Sequence, residues 1–297
     1  MTYLDDFIHW LNSDVGGEGP LPDLEHGSYG QAMGDSLARH YAEDRQKGGL
    51  RMSNIGKPAV VLALAHLGYA EQEPKGRSRI IFHTGDMYEN WLEVMLKVYG
   101  FEIIDSQPEV NYMGITGHAD FVIREPKSGE PLIIEAKTMS EGYARMFSRE
   151  LNDDRGYISQ LAMYSAGLGH KATWVCWNKG NSETFEIVPN EGLMQQKLDR
   201  AEQVIERVRK VKTLDDVLKQ VRVPPPRPEV YQKKETGRYL VPGSLSYSPF
   251  KRALYVTSDG RNNYGKETTY VDAIADTEHM REELKFLVDN GVVVLND

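Results

Sequence analysis

Three charged residues stand on or beside two apolar stretches that follow each other closely in the sequence. Asp120 lies at the start of a run of β-branched and aromatic residues, and Glu135 and Lys137 end the next such run. A turn-rich segment, 125–131, separates the two runs, so the pattern predicts a β-hairpin. Side chains two apart on a strand share a face, and therefore Glu135 and Lys137 point to one side while Ala136 points to the other.

This cluster suits metal-assisted hydrolysis. A buried charge is costly unless it is paired or binds a metal, and Mg²⁺ takes carboxylate, carbonyl and phosphate oxygens as ligands. Asp120 and Glu135 would hold the metal together with the backbone carbonyl of Ala136. Lys137 would position or deprotonate the attacking water, or offset the charge of the transition state. The same residues fit a surface hairpin with cross-strand salt bridges equally well, so both interpretations stay open.

Length and composition favour one large globular domain with an appendage. The chain has 297 residues, no apolar run long enough to cross a bilayer and no basic start typical of a signal peptide. The single cysteine, Cys176, excludes a disulfide framework and a cysteine-ligated metal cluster within one chain. We therefore expect a cytoplasmic protein without a membrane partner. A net charge of −9 argues against coating DNA by bulk charge but allows local phosphate contacts.

Residue periodicity predicts the order of helices and strands. Predicted helices cover residues 3–11, 29–47, 59–67, 82–99, 154–168, 190–212, 214–220 and 276–290. Predicted strands cover residues 101–104, 107–112, 117–123, 132–137, 172–177, 183–188, 239–241, 253–257 and 291–295.

A proline-rich run at 223–228 predicts a stiff linker and the main domain boundary. On this basis the chain has an N-terminal helical segment at 1–50 and a core domain at 51–222. Residues 229–297 form a small C-terminal unit whose sequence indicates no chemistry.

Polar residues beside the predicted helices have alternative interpretations. Ser53 is a candidate N-cap of a buried helix, which is the simpler interpretation, but Ser53 and Lys57 would also suit a phosphate at a helix N-terminus. Glu89 lies on or beside the apolar face of its helix, either half-exposed or turned inward as a ligand. Arg145 and Arg149 belong to a polar stretch after Lys137 and are candidates for DNA contacts.

The order of these residues resembles a known superfamily. Glu89 stands on a helix, Asp120 and Glu135-Ala136-Lys137 stand on consecutive strands, and Gln160 and Tyr164 lie four apart on the next helix. This order resembles the PD-(D/E)xK nuclease superfamily, and within it the RecB-like, phage-type exonuclease branch.

The resemblance covers about residues 51–190 and has departures. Ala119 stands where many members have proline before the motif aspartate. The four cysteines that hold an iron–sulfur cluster in many members are missing, because the chain has one cysteine. The sequence also lacks a helicase P-loop, so no nucleotide cofactor is expected.

The resemblance implies an α/β fold and a set of roles. The core would be restriction-endonuclease-like, a mixed β-sheet flanked by helices. One or two Mg²⁺ or Mn²⁺ ions would bind Asp120, Glu135, the Ala136 carbonyl and Glu89. Lys137 would act on the nucleophilic water, while Gln160 and Tyr164 would orient the active site and contact DNA.

The implied function is a metal-dependent deoxyribonuclease, a hydrolase of phosphodiester bonds in DNA recombination, repair or degradation in bacteria or phage. An exonuclease is favoured over an endonuclease of the restriction or junction-resolving type. A third alternative is a catalytically silent module that binds DNA or a protein. A recombination or single-strand-annealing protein is a candidate partner beside DNA.

Overall fold

The computed structural model describes residues 3–13, 30–31, 34, 49–71, 77–150, 156–245 and 248–296. Most of the predicted helix 29–47 lies outside these residues. Contacts divide the chain into two compact units. The first unit holds residues 1–45, 74–153 and 157–199, and the second holds residues 46–73, 154–156 and 200–297.

The helices, in chain order, are α1 (Asp5–Ser13), α2 (Ala59–His66), α3 (Arg77–Tyr99), α4 (Glu141–Glu150), α5 (Tyr157–Leu168), α6 (Glu191–Val208), α7 (Leu214–Gln220), α8 (Lys251–Leu254) and α9 (Thr277–Asp289). The strands are β1 (Tyr69–Glu71), β2 (Ile103–Ser106), β3 (Glu109–Tyr112), β4 (Ile115–His118), β5 (Phe121–Arg124), β6 (Pro131–Met139), β7 (Lys171–Asn178), β8 (Thr184–Ile187), β9 (Arg227–Tyr231), β10 (Lys234–Leu240), β11 (Tyr255–Arg261), β12 (Glu267–Ile274) and β13 (Val293–Leu295). Among the helices that the structure describes, none combines the length and apolar character of a membrane span.

A five-stranded mixed sheet forms the centre of the first unit. Its strand order is β2-β5-β6-β7-β8, with β6 and β7 parallel and the other neighbours antiparallel. A parallel pair needs a crossover connection, which the two helices α4 and α5 supply between β6 and β7. The predicted α/β class, a mixed sheet with flanking helices, is confirmed.

Alternation along β6 directs its side chains to two different environments. Ile134 and Ala136 join the apolar core formed with α1 and α3, where Phe7 and Leu92 are also buried. Glu135 and Lys137 point to the opposite face. Helices α4 and α5 pack on this second face. The predicted facing of these residues is therefore confirmed.

The strand predicted at 117–123 is two strands, which is a correction to the sequence interpretation. β4 pairs with β3 in a separate hairpin, whereas β5 pairs with β2 and β6 in the central sheet. The chain changes sheets at Ala119 and Asp120, where Ala119 N donates to Pro108 O at 3.2 Å and Gln107 N donates to Asp120 O at 2.9 Å. Asp120 therefore stands at the end of the central sheet and not inside a strand.

The second unit contains a four-stranded antiparallel sheet, of order β11-β12-β10-β9, and the antiparallel pair β1 and β13. Helix α9 packs on α8 and α7, and α2 packs on α7. Strands β9 and β12 were not predicted, because their alternation of apolar and polar residues is obscured. Proline interrupts it in β9, and threonine and acidic residues interrupt it in β12. The predicted domains, 1–50, 51–222 and 229–297, are each continuous in sequence, and their boundaries stay a prediction.

Two local interpretations in the second unit are revised. Ser53 lies in a 3₁₀ turn, Met52–Asn54, whereas Pro58 occupies the N-cap position of α2. The predicted N-cap role of Ser53 is therefore wrong. In the proline-rich segment, Val223 is buried and the carbonyl of Pro224 accepts a hydrogen bond from the Tyr255 hydroxyl at 2.7 Å.

Two glycine backbones approach each other closely within the second unit. Gly156 has φ +76°, and a Cβ added there would lie 2.5 Å from the Cα of Gly56. Backbone atoms cannot rotate away as a side chain can, so both the φ value and the space require glycine. Gly169 has a similar φ of +70° with nothing within 4 Å, and therefore isolates the cost of the conformation alone.

We predict that G156A lowers the free energy of unfolding by about 1–3 kcal/mol more than G169A does, because the first variant adds overpacking to the same conformational strain. Urea unfolding of both variants and the parent chain measures the difference. Equal losses in the two variants would show that the close backbone approach contributes nothing.

Candidate functional site

The carboxylate of Asp120 occupies the place of a strand partner. The antiparallel ladder between β5 and β6 ends at the pair Phe121 and Ile134. The next N–H of β6 on that side belongs to Ala136, and it donates to Asp120 Oδ2 at 2.7 Å. The N–H and C=O of one extended residue point to the same side, so the Ala136 carbonyl is directed toward Asp120 as well.

Glu135 and Lys137, on either side of Ala136 in β6, form a buried ion pair on the face of the strand opposite the apolar core. Lys137 Nζ lies 2.6 Å from Glu135 Oε1, and the side chains are 18% and 2% exposed. The second carboxylate oxygen, Glu135 Oε2, is buried and has no hydrogen-bond donor among the described residues. An unsatisfied buried carboxylate oxygen is costly, and it is an available ligand for a cation.

Gln107 links the two other carboxylates of the site. It lies between β2 and β3 in the left-handed region, with φ +56°. Its side-chain amide donates to Glu89 Oε1 and, at 3.5 Å, to Asp120 Oδ1. Sequence reasoning missed this residue, because an amide in a connecting segment carries no periodic signal.

Burial and mutual repulsion alter the acidity of these groups. Burial, followed by the charges of Glu135 and Glu89, raises the pKa of Asp120 well above its ordinary value. Burial and the charge of Glu135 raise the pKa of Glu89 to about 7. Burial alone would lower the pKa of Lys137, but the charges of Glu135 and Asp120 outweigh it and raise the pKa. Lys137 is therefore an ammonium ion in the metal-free protein.

Helix α5 carries polar groups to the same face of the sheet. Gln160 Nε2 donates to the Tyr164 hydroxyl at 2.9 Å, and both side chains are buried. Burial and the nearby charge of Glu135 raise the pKa of Tyr164, so this hydroxyl stays neutral. Tyr157, at the start of α5, presents its ring to Lys137 Nζ at 5.6 Å. Tyr157 is a second residue that the sequence interpretation did not assign to the site.

The predicted site residues fall into two groups. The structure brings together Glu89, Asp120, Glu135, Ala136, Lys137, Gln160 and Tyr164. Arg145 lies on α4, where its exposed side chain pairs with Glu141 at 2.9 Å. The Arg149 side chain is outside the described residues, and Ser53 and Lys57 belong to the second unit. DNA contacts by these four residues stay a prediction.

A complete metal centre is not preformed in the described part of the chain. No three His, Cys, Asp or Glu side chains there converge closely enough to hold a metal ion. Instead each carboxylate faces a donor of the protein: Ala136 N–H for Asp120, Lys137 for Glu135, and Gln107 for Glu89. The predicted ligand set therefore stays a prediction, and Glu135 Oε2 is the oxygen that fits it without rearrangement.

Neither a protein-family model nor a curated protein matches the sequence. Among solved structures, the chain is similar to the protein described as SSO0001, with 18% identity and a TM-score of 0.35 over 62% of this chain and 88% of the other. It is also similar to an alkaline exonuclease from Laribacter hongkongensis, with 12% identity and a TM-score of 0.32 over 60% of this chain and 93% of the other. These values are low, so the geometry of the site carries the functional argument.

We predict that the metal-free protein loses stability as the pH rises toward neutrality. A carboxyl with a pKa raised from 4.5 to about 7 in the folded state contributes stability below its unfolded pKa, and this is lost as the pH rises through the folded value. The melting temperature, measured in EDTA between these two pH values, should therefore fall less steeply with rising pH for E89Q than for the parent chain.

The matched control for this prediction is E93Q on the same helix, where Glu93 pairs with Lys97 at 2.7 Å. E93Q should keep the parental pH dependence. The pKa of Asp120 is raised in the same direction, so the melting temperature of E89Q should still fall in part as the pH rises. An unchanged slope in E89Q would contradict the assigned environment of Glu89.

Proposed function

We propose that this chain is a divalent-metal-dependent nuclease that hydrolyses phosphodiester bonds of DNA, with exonuclease action favoured. One observation carries the proposal: the buried Asp120 and Glu135 and the partly buried Glu89 influence one another's acidity beside Lys137, and Glu135 Oε2 has no donor among the described residues. The distant likeness to an alkaline exonuclease agrees with this proposal but adds no weight to it.

The charge balance explains why the site suits a cation. Fully ionised, Glu89, Asp120 and Glu135 would leave the site with excess negative charge that Lys137 alone cannot offset. Burial, followed by repulsion between the carboxylates, raises the pKa of Glu89 to about 7 and the pKa of Asp120 well above its ordinary value, so both carboxyls hold their protons more tightly than exposed ones do. A hard divalent cation would replace those protons, because carboxylate oxygens are its preferred ligands.

The chain's own residues suggest a division of roles. Asp120, Glu135 and the Ala136 carbonyl would hold the ion, with Glu89 as a further ligand. When bound, such a metal acidifies water and offsets charge on a phosphoryl oxygen. Lys137 would donate hydrogen bonds to the water or to the phosphate, because the charges of Glu135 and Asp120 hold its pKa above the ordinary value in the metal-free site.

Helix α5 would complete the site through neutral donors. The Gln160 amide holds the Tyr164 hydroxyl at 2.9 Å, and Tyr164 is 2% exposed. A neutral hydroxyl near a phosphate oxygen donates a hydrogen bond without adding charge. The Tyr157 ring lies 5.6 Å from Lys137 Nζ, where its face would favour the ammonium form.

Loss of the central carboxylate tests the proposal directly. E135Q keeps the shape of the side chain but removes the charge, and we expect at least about a hundredfold slower cleavage in Mg²⁺ or Mn²⁺ by protein whose circular dichroism matches the parent chain. K137M should lose a similar factor, because the ammonium group is removed. The exposed variant E141Q is the matched control and should keep parental activity.

The substrates in this assay decide between the alternatives. Linear duplex labelled at the 5′ or 3′ end, single-stranded DNA and supercoiled circles are each incubated with metal. Spared circles indicate an exonuclease, and cut circles indicate an endonuclease of the same fold. Parental activity in E135Q and K137M would refute the proposed site, whereas metal binding without turnover on any substrate would indicate a silent binding module.

A second variant tests the link between the carboxylates. We predict that Q107L binds Mn²⁺ about tenfold more weakly, because residues that hold metal ligands typically contribute 10–100-fold to affinity. Calorimetric titration measures the dissociation constant without any need for turnover. The control Q195L removes an exposed amide that bonds Asp199 at 2.7 Å on α6. An unchanged constant in Q107L would remove Gln107 from the site.

A further inference from the structure

Two hairpins of the second unit bring aromatic and basic side chains together at their turns. The ring of Tyr264, in the β11–β12 turn, lies 5.3 Å from the ring of Tyr231 at the end of β9. Tyr264 is 71% exposed, which is the highest exposure among the large hydrophobic side chains of the described chain. Together with Lys233, Lys234, Arg261 and Lys266, these two rings define what we call the hairpin-tip surface.

The cations of this surface are available for a ligand. Lys233, Lys234, Arg261 and Lys266 are exposed, and none of them forms an ion pair with a residue in the described ranges. The exposed carboxylates nearest these cations along the chain are fewer: Glu235, Glu267 opposite Arg261 in the β11–β12 ladder, and Asp259, which already pairs with Arg252 at 3.3 Å. The surface is therefore locally basic in a chain whose net charge is −9.

A hydrogen-bonded network beneath the hairpin-tip surface supports it. Glu229 is buried and accepts hydrogen bonds from Thr236 at 2.7 Å and from Arg238 Nε at 2.9 Å. The Arg238 guanidinium lies 4.4 Å from the ring of Tyr270 and also donates to Arg261 O at 3.2 Å. Arg238 therefore ties the two hairpins together, and its charge is matched inside the fold.

The two hairpins also border an open polar cleft of about 490 Å³. Tyr231, Lys234 and Arg238 line it from one hairpin, and Asn263 lines it from the other. Gln232 and Lys233 form the β9–β10 turn with φ of +48° and +66°, a geometry in which asparagine and glycine are favoured. The turn thus presents a lysine where turn propensity alone would favour a smaller residue.

We infer that the hairpin-tip surface binds a nucleic-acid single strand, with a base stacked on Tyr264 and phosphates beside the four cations. An exposed aromatic ring offers a stacking platform to any base, and clustered cations follow the backbone. A duplex hides its base faces, so the exposed ring favours a single strand. This inference rests on the proposed function for the view that the strand is a nuclease substrate.

Fluorescence anisotropy with labelled oligothymidylate tests the inference. EDTA is present throughout, so that metal-dependent cleavage cannot consume the probe. Y264A should bind about tenfold more weakly, because stacking on one aromatic ring contributes about 1–3 kcal/mol. Y264W should bind like the parent chain, since it restores a stacking platform.

The charges are tested by salt dependence. The double variant K233S/K234S should reduce the slope of log affinity against log salt by about 1–1.5, because each phosphate contact on a single strand contributes about 0.7. Y239A and K285S are the matched controls, since they remove an exposed tyrosine and an exposed lysine elsewhere in the second unit. Both controls should bind like the parent chain.

Several results would overturn the inference. Equal affinity in Y264A, K233S/K234S and the controls would exclude this surface as a strand-binding site. Equal competition by polyglutamate, with no effect of Y264A, would indicate an acidic protein as the partner. An oligouridylate probe run in parallel distinguishes RNA from DNA as the source of the strand.

The binding assay and the cleavage assay test the two proposals independently, so either proposal can be refuted without the other. If E135Q abolishes cleavage while Y264A binds normally, the nuclease proposal stands and the inference about this surface is refuted. If the parent chain never cleaves DNA but Y264A weakens strand binding, the surface is confirmed and the nuclease proposal fails.

Discussion

The hydrogen bond from Ala136 N–H to the Asp120 carboxylate is the interaction on which the rest of the site depends. It continues the central sheet at the point where the β5–β6 ladder ends, so the buried Ala136 N–H has an acceptor there. The ion pair of Glu135 and Lys137 follows on the same strand, and the Gln107 side chain connects Asp120 to Glu89 on α3.

The site is arranged at a cost to stability. Its carboxylates are buried near one another, which disfavours their ionised forms, and the buried Lys137 offsets part of that repulsion. A core built for stability alone would replace these groups with apolar side chains of similar volume. Departures of this kind from local folding rules are expected at functional positions. The unsatisfied Glu135 oxygen is the clearest example here.

Charge is distributed unevenly between the two units. The first unit buries Asp120 and Glu135 beside Lys137, whereas the hairpin-tip surface of the second unit exposes cations beside an aromatic ring. A net charge of −9 averages over both regions. The net value therefore says little about affinity for a nucleic acid, which depends on the local arrangement of charge.

The sequence by itself determined the local and periodic features. Alternation along β6 placed Glu135 and Lys137 on one face, and helical spacing placed Gln160 beside Tyr164, because both patterns depend on neighbours within one element. Only the tertiary structure decided the change of sheets at Asp120 and the contacts of Gln107 and Tyr157. These depend on contacts between residues distant in the chain, such as Gln107 with Glu89, and no periodicity in one element records such contacts.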